Sequence, residues 1–291
     1  MLERAQNVTG YYGRPIVKPP AWTDLIPVYF FTGGMAGTAA TLAGCQRAAK
    51  NHELARVMIV AAAGGCAVSA FCLIADLKRP ERFLHMLRVF KPTSPMSVGV
   101  YIFSAFSTAT FAAAASDALG IAAFAGRAFE ALAALLGPAM SCYTAVLIAD
   151  TAVPAWLYGR RCLPAIFAST SATAAGAAGM MACDPGACAP ARRLAIAGQI
   201  ATLIGTQQLR EELGPRQALA YKRGQAGAFA AASRVLGLAG IAATLVAGKH
   251  RAGARTAGAL LFAAALCEKF SIYRAGFEST KDPSFVIDAQ R

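Results

Sequence analysis

Apolar blocks of roughly twenty residues recur along this chain, each long enough to cross the hydrocarbon core of a bilayer as one helix. Inside lipid a backbone must satisfy its own hydrogen bonds, so blocks of this kind fold as helices. Eight are read, at 25–45, 55–75, 98–116, 131–149, 163–182, 194–209, 226–247 and 254–270, with Pro, Gly and charged residues between them. The sixth is short and carries Gln199, Gln207 and Gln208, which leaves seven spans as the competing count. Of the 291 residues 56% are hydrophobic and 15% charged, against about 25% charged in an average soluble domain. A soluble chain of this size has no core large enough to hide that excess. The expected fold class is therefore all-α: a polytopic integral membrane protein with about eight transmembrane helices, arranged as two four-helix bundles. It is read as one membrane domain, with a polar segment 1–24, helices over 25–270 and a tail 271–291.

The net charge of +13 would suggest nucleic acid in a soluble protein. Here Lys and Arg crowd into the loops, where they meet anionic lipid head groups or an acidic partner, and no nucleic acid is expected. With eight spans both termini share one side, and its loops carry twice as many Lys and Arg as the opposite loops. The positive-inside rule then puts the termini in the cytoplasm and the chain in the cytoplasmic membrane. Runs such as Gly33-Gly34-Met35-Ala36-Gly37 read as close helix packing. Cys183 and Cys188 are near neighbours in a short loop; a disulfide between them depends on an oxidising compartment, which the sequence leaves open.

His52, His85 and His250 all fall in loops or at span ends, so no facing pair of buried histidines is available to a haem. Neither a Cys-x-x-Cys pair, a P-loop nor a Gly-x-Gly-x-x-Gly turn is present, and the chain is expected to carry no redox cofactor or metal. The most unusual stretch is the loop after the second span. There Phe83, Leu84 and Leu87 share one helical face while Lys78, Arg79 and Arg82 crowd another. That pattern predicts a short amphipathic helix at the membrane surface, closed by Pro92-Thr93-Ser94-Pro95. A basic connector would explain the cations, but it leaves Asp76 at the mouth of the loop unexplained.

Residues 76–83 (Asp-Leu-Lys-Arg-Pro-Glu-Arg-Phe), followed by 86–99, resemble the signature loop of the NrfD-like, polysulfide-reductase membrane-subunit family. Three more segments are similar to that family. They are Tyr29-Phe30-Phe31-Thr32-Gly33-Gly34-Met35-Ala36-Gly37, then Tyr143-Thr144-Ala145-Val146-Leu147 with Pro154-Ala155-Trp156, and finally Phe270-Ser271-Ile272-Tyr273-Arg274-Ala275-Gly276 with Asp282-Pro283 and Gln290-Arg291. The resemblance implies a membrane anchor of a multisubunit oxidoreductase that holds no redox group itself. It implies a quinone bound beside a four-cluster ferredoxin-like iron–sulfur subunit, which serves a molybdopterin-type catalytic subunit. It also implies that Tyr143 stands where the family has a quinone-contacting tyrosine, and Asp76 where it has an acidic residue. Where relatives have a histidine in the first span, this chain departs with Tyr29.

An anchor without cofactors cannot relay electrons through its own thickness, so the quinone is expected near the docking face, on the side of the termini. The phenols of Tyr29 and Tyr143 can hydrogen-bond a quinone oxygen. Asp76 can exchange a proton, and intramembrane carboxylates are costly enough to be functional by default. Each has a plainer alternative: Tyr29 as an interfacial belt aromatic, Tyr143 as packing, Asp76 as a cap or partner of Arg79 or Arg82. Glu268 and Lys269 are read near the end of the eighth span. Arg234, inside the seventh, either snorkels or pairs with Glu268, Asp76 or Glu130 along a proton path, whereas Asp117 and Glu130 read as surface charges. Lys78, Arg79, Arg82, Arg88 and Lys91, with the tail, form the expected docking surface. The competing class is a transporter, or a purely structural anchor without a quinone site; a transporter calls for broken helices with polar residues at mid-membrane, and only Arg234 fits that well.

Overall fold

The structure, a computed structural model, describes residues 16–77, 79–282 and 285, and for Arg82 and Leu84 the backbone alone. Among the described residues it is all-helical. Eight long helices follow in order: α1 (Leu25–Ala48), α2 (His52–Asp76), α3 (Pro95–Leu119), α4 (Ala123–Ala149), α5 (Leu163–Ala182), α6 (Ala189–Gln217), α7 (Gly224–Ala247) and α8 (Arg251–Lys281). Seven of them are long and apolar enough to span a membrane. Helix α6 falls short in apolarity because its glutamines and charges lower it, yet it runs from rim to rim. Near its start Arg192 donates to the Gly248 carbonyl between α7 and α8, and at its end Gln217 donates to the Phe285 carbonyl beyond α8, both at 2.9 Å. Polar residues are tolerated along α6 where they face helices rather than lipid; Gln199 is buried against Gly237 of α7.

The helices close into two rings of four. In the first, α1 packs on α2 and α4, and α3 on α2 and α4; in the second, α5 packs on α6 and α8, and α7 mainly on α8. The rings meet where α1 and α4 lie against α5 and α1 against α8. Small residues allow this approach, because helix association in lipid gains its energy from contact rather than from expelling water. A Cβ on Gly37 would stand 2.5 Å from the Gly137 carbonyl of α4, so these two backbones touch. One residue on, Pro138 has no N–H to give the carbonyl of Ala134. Thr41 of α1 supplies the missing donor at 3.1 Å, so a helix break becomes an inter-helix bond.

Three sequence expectations are corrected here. The amphipathic helix expected after α2 is only a 3-10 turn, Pro80–Arg82, and one helical turn, Phe83–Met86; Pro80 opens the first, and the chain leaves helix before Leu87. Lys78 lies outside the described residues. Second, Glu268 and Lys269 sit mid-helix rather than near a span end, because α8 runs on to Lys281 with Ile272, Tyr273, Ala275 and Gly276 buried against the rest. Third, Asp117 and Glu130 are not plain surface charges. Arg47 bridges them, with Nε 2.9 Å from Glu130 and Nη2 3.2 Å from Asp117, and Arg56 closes on Asp117 at 2.9 Å. Four charges that sum to zero thus tie α1 to α4 together at the rim away from the termini. At the same rim Cys183 and Cys188 are free thiols, the former donating to Glu53.

Candidate functional site

At the rim where the described chain begins and ends, the first ring encloses a cavity of about 130 Å³. Tyr29, Asp76 and Tyr143 all line it, brought from α1, the last residue of α2 and the inner part of α4. Phe30, Phe83, Met86 and Phe103 supply much of the remaining wall. An apolar cavity of about 150 Å³ holds a benzene ring, so this one suits a single ring rather than a bulky solute. The Tyr29 ring packs edge-on to Phe103 with centroids 6.3 Å apart, and its hydroxyl is buried with no hydrogen-bond partner among the described residues. An orphaned buried hydroxyl is costly unless a ligand completes it. The Tyr143 ring lies on the backbone of Gly99 in α3, where an added Cβ would come 2.3 Å from Cε2; only glycine leaves room for the phenol in this pose. The capped start of α3 sets that height, with Ser94 accepting from the Ser97 N–H and Pro95 in the first turn.

The fourth side of the cavity is the segment before α1. Thr23 donates from its backbone N–H (3.0 Å) and its hydroxyl (2.6 Å) to Oδ1 of Asp76. Trp22 lines the cavity and stacks on Trp156 of the short helix Pro154–Tyr158, centroids 5.7 Å apart. From the second ring, the Tyr273 hydroxyl shares its proton between the Trp22 and Thr23 carbonyls (2.8 and 2.9 Å), and Arg274 grips both oxygens of Asp24. Trp156 in turn donates to the Ile272 carbonyl at 2.8 Å and lies against Gly276. Segments far apart in sequence thus converge on one cavity mouth.

The model of the family described as polysulphide reductase, NrfD, matches residues 17–188, well over half of the chain. The chain belongs to the NrfD family. No curated protein matches it. Membership makes this chain a multi-pass membrane subunit of a redox complex. The match covers α1 to α5 and therefore every residue that lines the cavity.

Not all candidate residues of this NrfD-family chain meet at that cavity. Glu268 and Lys269 are buried in the second ring, 7% and 1% exposed. The Lys269 Nζ donates to the Phe167 carbonyl (3.2 Å) and sits 3.6 Å above the Phe167 ring, which packs edge-on to Phe30 of the cavity wall. Lys269 is thus two rings removed from the cavity. Arg234 lies on the exposed face of α7, close enough to Glu268 to attract it but without an ion-pair contact among the described residues. It contacts neither Asp76 nor Glu130, whose partner is Arg47. Arg79, Arg88 and Lys91 are exposed beside the cavity mouth, while the Arg82 side chain and Lys78 lie outside the description. Among the described residues no three of His, Cys, Asp and Glu converge as metal ligands. Thr23, Trp22 and Lys269 went unassigned from sequence because their roles depend on contacts across more than fifty positions. The Trp156 and Tyr273 segments did stand out, as pieces of the family resemblance.

Proposed function

We propose that this subunit exchanges electrons between a docked iron–sulfur protein and the quinone pool, binding a quinone head group in the Tyr29–Asp76–Tyr143 cavity. The observation that carries the reading is the combination of a ring-sized, largely apolar cavity with an orphaned phenol and a carboxylate on its wall. Quinone reduction takes two electrons and two protons, so a site needs hydrogen-bond donors for the two oxygens and a group that trades protons with water. The phenols of Tyr29 and Tyr143, both on the cavity wall, can donate to the ring oxygens. Asp76, half-buried at the helix end, faces both the cavity and the aqueous rim, and a carboxylate there can hold a proton at its free oxygen and pass it on. Trp22 and Phe83 shield the ring from bulk water.

On this reading the chain binds no redox group of its own, and the partner's cluster must lie at the cavity rim. The exposed Arg79, Arg88 and Lys91 favour docking of an acidic face of a ferredoxin-like subunit there, with a molybdopterin-type subunit behind it. The excess of basic loops at this rim favours a cytoplasmic position in the cytoplasmic membrane. The test is Asp76→Asn in the intact complex, assayed with a quinone and, separately, with a dye that reacts at the catalytic subunit. Quinone-linked turnover is expected to fall at least about 100-fold with dye-linked activity unchanged. Wild-type quinone turnover in the variant would remove Asp76 from the reading.

A further inference from the structure

The walls of the Tyr29–Asp76–Tyr143 cavity are unequal. On the inner side Ile26, Tyr29 and Phe30 of α1 and Phe103 of α3 are at most 7% exposed, because other helices stand behind them. Between α2 and α3 the wall is one side chain thick. There Leu73, Leu77, Met96 and Val100 line the cavity and are partly exposed as well, Met96 by 47%. The cavity surface itself adds little to that figure, since Tyr29 lines the same space at 1%. Packing explains the thin wall: α3 lies mainly on α4 and touches α2 only lightly. The two are tied at the far rim, where Arg56 donates to the Asp117 carboxylate at 2.9 Å and to its carbonyl at 3.1 Å. At the cavity end no hydrogen bond among the described residues joins α2 to α3. The connecting turns are held to α3 instead, the Tyr101 hydroxyl donating to the Leu87 carbonyl at 2.8 Å.

The segment before α1 closes the alternative way in. Thr23 donates twice to Asp76, Tyr273 holds the Trp22 and Thr23 carbonyls, and Arg274 grips Asp24, so this side is shut by hydrogen bonds. The thin wall is apolar throughout and lies at the right depth. Leu73 is about 5 Å inside the end of α2 and Val100 about 8 Å inside the start of α3, by helical rise. Deeper on the outer face of α2, Val68 and Phe71 are exposed to lipid. We propose that the seam between α2 and α3 is a lateral portal to the cavity. The quinone ring enters from the bilayer between Leu77 and Met96, and its prenyl tail stays behind, with the first carbons between Leu73 and Val100 and the rest in lipid along Phe71. This inference rests on the quinone reading of the cavity, and it makes the substrate a tailed quinone dissolved in the membrane rather than a water-soluble one. Lipid chains are as apolar as the seam, so the tail is neither trapped nor expelled, which suits a substrate that must leave after each turnover.

The test is photolabelling of the intact complex in liposomes with a dimethoxybenzoquinone whose ten-carbon tail carries a diazirine at its middle, mapped by peptide mass spectrometry. Labelling that excess unmodified quinone displaces is expected at 73–77 and 96–100. Displaceable labelling at 22–24 instead would overturn the portal and leave the quinone reading standing. No displaceable labelling anywhere on this chain would overturn both. A second arm fills the seam with Leu77→Trp and Met96→Trp, which should raise KM for the tailed quinone several-fold more than it lowers kcat. A wild-type KM in that double variant would overturn the portal. Should the variant fold poorly, the labelling pattern of the wild-type chain decides alone.

Discussion

Thr23 holds Asp76 by a single oxygen, its backbone N–H and its hydroxyl both donating to Oδ1 at 3.0 and 2.6 Å. The other carboxylate oxygen has no hydrogen bond among the described residues and is the one available to the cavity. Because Thr23 is itself held by Tyr273 of α8, the second ring fixes the orientation of a carboxylate that belongs to the first.

Thr23→Val keeps the shape and the backbone donor but deletes the hydroxyl. Losing one hydrogen bond to a charged group costs about 1.5 kcal/mol, so quinone-linked turnover of the complex should fall about tenfold. Thr23→Ser should restore it. Equal loss of dye-linked activity would show instead that the variant damages assembly.

Tyr29→Phe separates a binding hydroxyl from a structural one. The hydroxyl has no partner among the described residues, so the unfolding temperature should not drop. Binding of a quinone-site inhibitor should weaken about tenfold, as measured by titration of quinone-linked turnover. A destabilised variant with unchanged inhibitor binding would make Tyr29 a packing aromatic and nothing more.

Arg47→Met strands Glu130, which is 5% exposed, and leaves Asp117 with Arg56 alone. Removing one member of a buried charge cluster costs about 3 kcal/mol, so thermal stability in detergent should fall clearly. Arg47→Met with Glu130→Leu should recover much of that loss, since no buried carboxylate is then left without its partner. The cluster is at the rim opposite the cavity, so turnover per folded molecule should hold.

Burial, and then the hydrogen bond and negative charge of Glu212, push the Cys162 thiol up to about 11. The thiolate is the reactive form. Alkylation by iodoacetamide, read by peptide mass spectrometry, should therefore rise about tenfold per pH unit from pH 7 to 10 and level off above pH 11. Glu212→Gln removes a charge that opposes ionisation, so the variant should react faster at pH 8. A rate that levels off by pH 9 in the wild-type chain would contradict the contact with Glu212.

The spans and the class of the fold were legible because hydropathy over roughly twenty residues is a local quantity, set by what lipid tolerates. Even α6 could be read, weakly, since its glutamines interrupt the signal that tertiary burial later makes acceptable. In the loop after α2 the periodicity predicts a short amphipathic helix, but Pro80 and the packing of Phe83 and Met86 into the cavity wall leave only two short turns. Tyr29, Asp76 and Tyr143 were nameable from residue type and family resemblance, and the fold brings all three to one cavity. Glu268 and Arg234 are nameable from residue type and position in a span alone, and α8 and α7 carry them elsewhere. Helical phase decides which face a residue occupies, and a span boundary uncertain by several residues leaves that phase undetermined.

The sequence by itself determined that this chain crosses a membrane many times as helices, that its cations gather in loops, and that it resembles one family of redox-complex subunits. Those properties follow from composition and local order, which need no knowledge of what touches what. Only the tertiary structure decided that Thr23 and Tyr273, 250 positions apart, meet at Asp76, that Arg47 and Arg56 together neutralise two carboxylates at the far rim, and that Lys269 is buried over an aromatic ring. Such pairings depend on how eight helices rotate and lean to bring small residues into contact, and that choice is made by packing over the whole bundle rather than by any one segment.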